Sequence, residues 1–166
     1  VDFLAPGILA LAVMSTAFTG QAIAVGFDRR YGALKRLGAT PLPRWGIIAG
    51  KSAAVVLVVA LQSVLLGAIG VALGWRPEPT GLLLGAVVIG VGTITFAAMG
   101  LLLGGTLRAE IVLALANILW FVMVAIGSVL FVRGDVSPAW TTAAQLVPSG
   151  ALAHGLESAL AGSIDG

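Results

Sequence analysis

Long stretches without charged side chains make up most of the chain, and short polar segments separate them. Asp, Glu, Lys and Arg are absent from residues 3–27, 52–75, 79–107 and 111–132, which are 25, 24, 29 and 22 residues long. A helix needs about 20 mostly apolar residues to cross the hydrocarbon core of a bilayer. The pattern therefore predicts an all-α polytopic membrane protein with four transmembrane helices, at about 3–27, 46–75, 81–107 and 111–132.

A fifth uncharged stretch, residues 136–156, is less regular than the other four. Pro138, Pro148 and several hydroxyl side chains interrupt it, and a broken helix leaves backbone groups unpaired in lipid unless protein covers them. We expect 133–166 to form a segment of short helices on the outer face, interfacial or re-entrant. A fifth spanning helix is the alternative.

Composition supports the membrane assignment and argues against catalysis. Hydrophobic residues make up 59% of the chain and charged residues 10%, whereas soluble domains carry about 25% charged residues. The chain has one His and no Cys, and none of the four uncharged stretches contains a titratable group for acid–base or metal chemistry. It also lacks a glycine-rich phosphate-binding loop. We expect no catalytic site, no metal site and no bound cofactor.

Lys and Arg are unevenly distributed between the two sides of the predicted membrane. One side carries seven, namely Arg29, Arg30, Lys35, Arg36, Arg44, Lys51 and Arg108, and the other carries Arg76 and Arg133. Cytoplasmic loops carry the excess of such residues. The loop 28–45 is therefore predicted to be cytoplasmic, in a multi-pass protein of the plasma membrane with both ends of this chain outside. Trp45 and Trp75 bracket the second span at interfacial depths.

Polar residues and closely spaced glycines occur within the predicted spans. The polar residues nearest mid-membrane are Ser15, Thr16, Gln62, Ser63, Thr93, Thr95 and Asn117. They either form hydrogen bonds between and within helices or line a weakly polar pathway for an amphiphilic substrate. The pairs Gly46/Gly50, Gly70/Gly74 and Gly100/Gly104 allow close helix approach, although 23 glycines also produce such spacings by chance.

The basic loop is the most informative segment for function. On a helix, Tyr31, Leu34 and Leu37 fall three residues apart and line one face, Gly38 stops the helix, and the prolines at 41 and 43 prevent its continuation. A short amphipathic helix at the cytoplasmic surface is predicted. It serves either as an anchor on anionic lipid or as a docking element for a cytosolic partner, and the residues themselves favour neither.

Three segments resemble the permease subunit of ABC type-2 transporters. They are FLAPGIL at 3–9, DRRYGALKRL at 28–37, and TPLPRW at 40–45 followed by Gly50-Lys51. The family shows FLxPG at the start of its second membrane helix and ERxxGTLxRLxxTPxxxxxxxxGK across the next cytoplasmic loop. Asp28 replaces the usual Glu, and Ala33 replaces the usual Thr. The likeness is greatest to the daunorubicin-type drug-efflux permeases of actinobacteria.

The resemblance implies one ABC type-2 permease domain over 1–166, corresponding to the second to fifth of six helices, so that the first and last helices are missing. It also implies a dimer of two permease subunits, identical or different, with cytosolic ABC ATPase subunits that bind ATP and Mg. The predicted ATPase-contacting residues are Asp28, Arg29, Arg30, Tyr31, Leu34, Lys35, Arg36, Leu37, Thr40 and Pro41.

The implied function is export of an amphipathic drug, antibiotic or lipid-like substrate, without nucleic acid as a partner. A polysaccharide exporter of the same family is one alternative. A membrane scaffold or assembly protein that transports nothing is another.

Overall fold

The computed structural model describes residues 4–41, 43–129, 142 and 146–161. Seven α-helices and one π-helical segment occupy this part of the chain. They are α1 (Leu4–Met14), the π segment (Ser15–Gly20), α2 (Gln21–Arg30), α3 (Ala33–Gly38), α4 (Arg44–Ala72), α5 (Pro79–Thr106), α6 (Ala109–Val129) and α7 (Pro148–Ala161). The prediction of an all-α fold is confirmed.

Four helical stretches of the described residues are long and apolar enough to cross a membrane, as predicted. They are Ala5–Arg30, Arg44–Ala72, Pro79–Thr106 and Ala109–Ile126. The first consists of α1, the π segment and α2 in succession. The predicted end of the fourth span, 130–132, lies outside the described residues.

The four long helices alternate in direction, so the bundle has two distinct ends. We call the end that carries Arg29, Arg30, Lys35, Arg36, Arg44, Lys51 and Arg108 the basic end, and the opposite one, where α4 meets α5, the far end. At the far end α4 stops in a Schellman turn: Gly74 has φ +98°, and the Trp75 N–H donates to the Gly70 carbonyl at 2.9 Å. Pro79 then begins α5, at a position where a missing N–H costs nothing.

Trp75, which was predicted at interfacial depth, lies just past the far end of α4 and is buried within the protein. Its side chain is only 3% exposed and folds back onto the last turn of α4, where a Cβ at Gly70 would lie 2.9 Å from the indole. The Schellman turn reverses the chain and directs the ring into the bundle. Trp45, at the other end of α4, is 72% exposed, consistent with the interfacial prediction.

Helix α5 is central to the bundle and contacts every other long helix. A Cβ at Gly100 or Gly104 would lie closer than 3.0 Å to carbonyl oxygens of Phe18 and Ala22, respectively. The close approach predicted for this glycine pair is therefore real. It does not occur at Gly50, which has nothing within 4 Å.

Helix α7 lies among the spanning helices, along the far half of α5. A Cβ at Gly81 would meet the Ala159 carbonyl at 2.9 Å, and one at Gly92 would meet Leu152 at 2.6 Å, so the two helices run antiparallel. Leu156 is completely buried. With 14 residues, α7 is about 21 Å long, too short to cross a core of about 30 Å. This packing fits the re-entrant alternative; the rest of the predicted 133–166 segment lies largely outside the described residues.

Candidate functional site

The loop between the first two spans forms a sharp corner at the basic end. Helix α2 ends at Arg30, and Gly32 adopts φ +72°, a left-handed conformation that glycine takes without the steric cost of a side chain. Helix α3 follows over Ala33–Gly38. The Thr40 hydroxyl donates to the Leu37 carbonyl, and Pro43 is the N-cap of α4. The predicted short helix is present; Leu42, within the predicted return, lies outside the described residues.

Arg29 connects α2 to the end of α5. Its guanidinium donates from Nη1 to the carbonyls of Gly104 and Leu107, at 3.0 and 3.1 Å. The last carbonyls of a helix have no partner within that helix, and a cation there also interacts favourably with the helix dipole. Arg29 therefore caps α5 and directs its charge into the bundle.

Two ion pairs complete the internal bonding of the corner. Arg30 pairs with Glu110 at the start of α6, and Lys51 of α4 pairs with Asp28. Both pairs are partly exposed, so each is worth at most about 1 kcal/mol. Their geometric effect is larger, because together with Arg29 they join the end of α2 to all three of the other spanning helices.

The predicted apolar face of the loop is divided in the structure. Because Gly32 interrupts the helix, Tyr31 lies before α3 and stacks on Phe27 with ring centroids 6.0 Å apart. Leu34 is half-buried and lines a cavity. Leu37 is exposed, as is Tyr31, whose exposure reaches 70%. Of the three residues of the predicted apolar face, Tyr31 and Leu37 thus face outward and Leu34 faces the cavity.

Four cations of the basic end have no ion-pair or hydrogen-bond partner in the described part of the chain: Lys35, Arg36, Arg44 and Arg108. Three of them, all except Arg36, line an open cavity of about 990 Å³ between α3, the start of α4 and the α5–α6 turn. Arg29, Arg30 and Glu110 also line it. The cavity is strongly electropositive.

The seven predicted pathway residues are distributed over several surfaces. The Thr16 hydroxyl donates to Gln62 Oε1 at 2.9 Å, joining the π segment to α4. Thr93, Thr95 and Asn117 each donate to a carbonyl four residues earlier in their own helix. Ser15 is exposed, and Ser63 lines a cavity of about 310 Å³ near the far end. The predicted pathway is not assembled as one channel by these side chains within the described residues.

Sequence reasoning missed several buried polar groups. Gln21 is 4% exposed, and its Nε2 has no hydrogen-bond partner; the same is true of Thr19 Oγ1, Trp120 Nε1 and Ser149 Oγ. The amide at position 21 was recognisable from sequence, as a polar residue within an apolar span. The burial of Ser149 was not, because it depends on the insertion of α7 between the spans.

The first span contains an irregularity that its sequence does not reveal. Ser15–Gly20 forms a π-helix, and such segments within α-helices are frequent at functional sites. Its residues include Thr16 and Thr19, which carry one of the interhelical hydrogen bonds and one of the unpaired hydroxyls. The middle of this span therefore combines an irregular backbone with polar side chains.

The described residues offer no group of three His, Asp or Glu side chains that could hold a metal ion. The predictions that the chain binds no metal and no cofactor stay predictions.

The four apolar spans define a multi-pass α-helical membrane protein. Comparison with family models identifies it further: the model described as ABC-2 family transporter protein matches residues 1–165. The chain belongs to this family, and is thus the membrane component of an ABC transporter. Comparisons with curated proteins and with solved structures found no match.

Proposed function

We propose that this chain is the membrane subunit of an ATP-driven exporter and that a separate ABC ATPase contacts it at the outer surface of the 28–45 corner. Tyr31, Arg36 and Leu37 are exposed there and offer the partner an aromatic ring, a cation and an aliphatic side chain. Thr40 and Pro41 extend this surface, whereas Lys35 lines the cavity described above. ATP and Mg bind to the partner.

The internal bonding of the corner is the observation that carries this proposal. A partner that moves α3 also moves α2, and Arg29, Arg30 and Asp28 transmit this displacement to α5, α6 and α4. A partner drives a conformational change only if it contacts the two states differently. Closure of an ATPase around α3 would make its contacts differ between the two states. A loosely tethered loop would not transmit the resulting displacement to the spanning helices.

An amphipathic drug, antibiotic or lipid-like molecule is the proposed cargo. Two mainly apolar crevices, of about 310 and 380 Å³, lie between the helices. The unpaired Ser63 hydroxyl lines the first, and Thr95 lines the second. Such crevices suit a mostly apolar molecule with few polar groups. A second permease subunit, identical or different, would complete the pathway in the plasma membrane.

Co-purification tests the docking surface. From its own cells, the tagged full-length protein should carry an ABC ATPase that mass spectrometry identifies by its nucleotide-binding motifs. Leu37→Asp should lower the amount of ATPase at least tenfold, because a buried unpaired carboxylate opposes the contact. Leu73→Asp makes the same change at an exposed position of the far end and should leave the ATPase bound. Equal recovery with both variants would refute docking at α3.

Transport in proteoliposomes distinguishes an exporter from a scaffold. The full-length protein, reconstituted with its ATPase, should move a fluorescent amphipathic dye when ATP is added. The Leu37→Asp variant should not. A complex that hydrolyses ATP but moves no amphiphile would contradict the proposed cargo class.

A further inference from the structure

The electropositive cavity of the basic end has more charge than the chain itself neutralises. Its lining includes five cations, from α2, α3, α4 and the α5–α6 turn, and a single carboxylate, Glu110. Arg30 pairs with that carboxylate, and Arg29 donates to the α5 carbonyls. Lys35, Arg44 and Arg108 remain around the cavity without a counter-charge in the described residues.

Like charges that share one cavity repel each other, and a bound anion removes this cost. A phosphate offers oxygen acceptors to guanidinium and ammonium groups at once, in short charge-assisted hydrogen bonds. The three cations come from three separate elements, α3, α4 and the α5–α6 turn. A single anion among them would therefore also hold these elements together.

Apolar residues beside the cations indicate what carries the phosphate. Leu34, Ile47 and Leu107 line the same cavity, which lies where the spanning helices end. Beyond it, α4 presents a long exposed apolar surface that begins at Ile48, 55% exposed, and includes Leu57, 70% exposed. A lipid whose headgroup lies in the cavity can place its acyl chains along this surface, which an ion in solution cannot do.

We propose that the cavity binds the phosphate headgroup of an anionic membrane lipid, with Lys35, Arg44 and Arg108 as its ligands and the acyl chains along α4. Basic pockets between transmembrane helices are suited to such headgroups. The proposal is independent of the ATPase contact, since Tyr31, Arg36 and Leu37 are not among the cavity-lining residues.

Lipid retention tests the site. The full-length protein is reconstituted into nanodiscs of equal parts phosphatidylglycerol and phosphatidylcholine, extracted with mild detergent, and analysed for bound lipid by native mass spectrometry. Phosphatidylglycerol should be retained in preference to phosphatidylcholine. Each of Lys35→Gln, Arg44→Gln and Arg108→Gln should lower its affinity about fivefold, and the triple variant on the order of a hundredfold.

Arg36→Gln is the matched control for Lys35→Gln. Both variants remove one positive charge from α3, but Arg36 does not line the cavity. Arg36→Gln should change retention less than twofold. An equal loss with Arg36→Gln, or equal retention of both lipids by the unmodified protein, would overturn the site. Unfolding temperatures in pure phosphatidylcholine should be no lower for any variant than for the unmodified protein, which shows that each one folds.

Two further measurements distinguish a lipid headgroup from the other anions that the cavity could bind, namely free phosphate and an acidic protein surface. Millimolar inorganic phosphate should not displace phosphatidylglycerol; complete displacement would mean a free-anion site and overturn the lipid assignment. The triple variant should still bind the ATPase. If it loses the ATPase while it keeps phosphatidylglycerol, the cavity binds an acidic protein surface and the proposal is wrong.

Discussion

Gly104 determines how closely α5 approaches α2. The Ala22 carbonyl lies where a Cβ at this position would project, so the two backbones are in direct contact. In a bilayer, where lipid tails are as apolar as leucine, such close packing contributes much of the attraction between helices. Arg29 donates to the Gly104 carbonyl, so the same residue also marks where the corner is joined to α5.

Substitution at this glycine should therefore separate the helices. Gly104→Ala places a methyl group against backbone that cannot rotate away, and overpacking of this kind costs about 1–3 kcal/mol. We expect a lower unfolding temperature in detergent. Gly105→Ala is the control, because a Cβ there has nothing within 4 Å and alanine favours the helix. Similar losses in both variants would contradict the packing explanation.

The residue scale is also where sequence reasoning is weakest. The spacing of Gly100 and Gly104 is identical to that of Gly46 and Gly50, yet only the first pair packs against a neighbouring helix. Which face of a helix meets its neighbour depends on the arrangement of all the helices. The local sequence does not encode that arrangement when apolar residues surround the whole helix.

At the scale of elements, the π segment and α4 are joined by one interhelical hydrogen bond within a polar region. Gln62 accepts from Thr16 through Oε1, while its Nε2 has no partner. The pair is half-buried. Such bonds in membrane bundles average about 0.6 kcal/mol and reach about 1.7, so the expected contribution is small but measurable.

A double-mutant cycle measures this contribution. Thr16→Val should destabilise the protein by about 0.6 kcal/mol in the natural background and by close to nothing when Gln62→Leu is already present. Reversible unfolding in mixed micelles provides the free energies. As a control, Thr95→Val removes a hydroxyl that bonds only within α5, and its effect should be the same with and without Gln62→Leu. If Thr16→Val destabilises the protein equally with and without Gln62→Leu, the two side chains are not energetically coupled.

The helices that could be predicted from sequence are those whose bounds are set by a single local cause. The uncharged runs predicted all four spans, because a charge in lipid is costly, and the prolines and Gly38 predicted the short helix and its return. The division of the Tyr31–Leu34–Leu37 face was not predictable, because it results from the left-handed turn at Gly32. The position of α7 required knowledge of the groove beside Gly81, Gly85 and Gly92.

For the whole molecule, the difference in charge between its ends is the dominant feature. The candidate docking surface and the electropositive cavity both lie at the basic end; the surface belongs to the loop that sequence analysis singled out, and the cavity lies between that loop and the α5–α6 turn. The carbonyl cap made by Arg29 and the ion pairs of Arg30 and Lys51 were not predictable, because they join residues far apart in sequence.

The orientation of these ends is testable with single cysteines, because this chain contains none. In an otherwise cysteine-free full-length protein, Lys35→Cys should react with a membrane-impermeant maleimide only after the cells are opened. Arg76→Cys, at the far end, should react in intact cells. We expect this orientation because cytoplasmic loops carry the excess of Lys and Arg, and that excess lies at the basic end. Labelling of position 35 from outside would reverse the topology and exclude ATPase docking there.

The half-length helix α7 has a mechanical consequence. Along the far half of the bundle five of the described helices lie side by side, and along the other half there are four, so the described helices taper. One helix about 10 Å across occupies roughly 80 Å². The described helices therefore displace more lipid from the leaflet at the far end than from the leaflet at the basic end, and we expect this part of the protein to favour membrane whose curvature stretches the far leaflet.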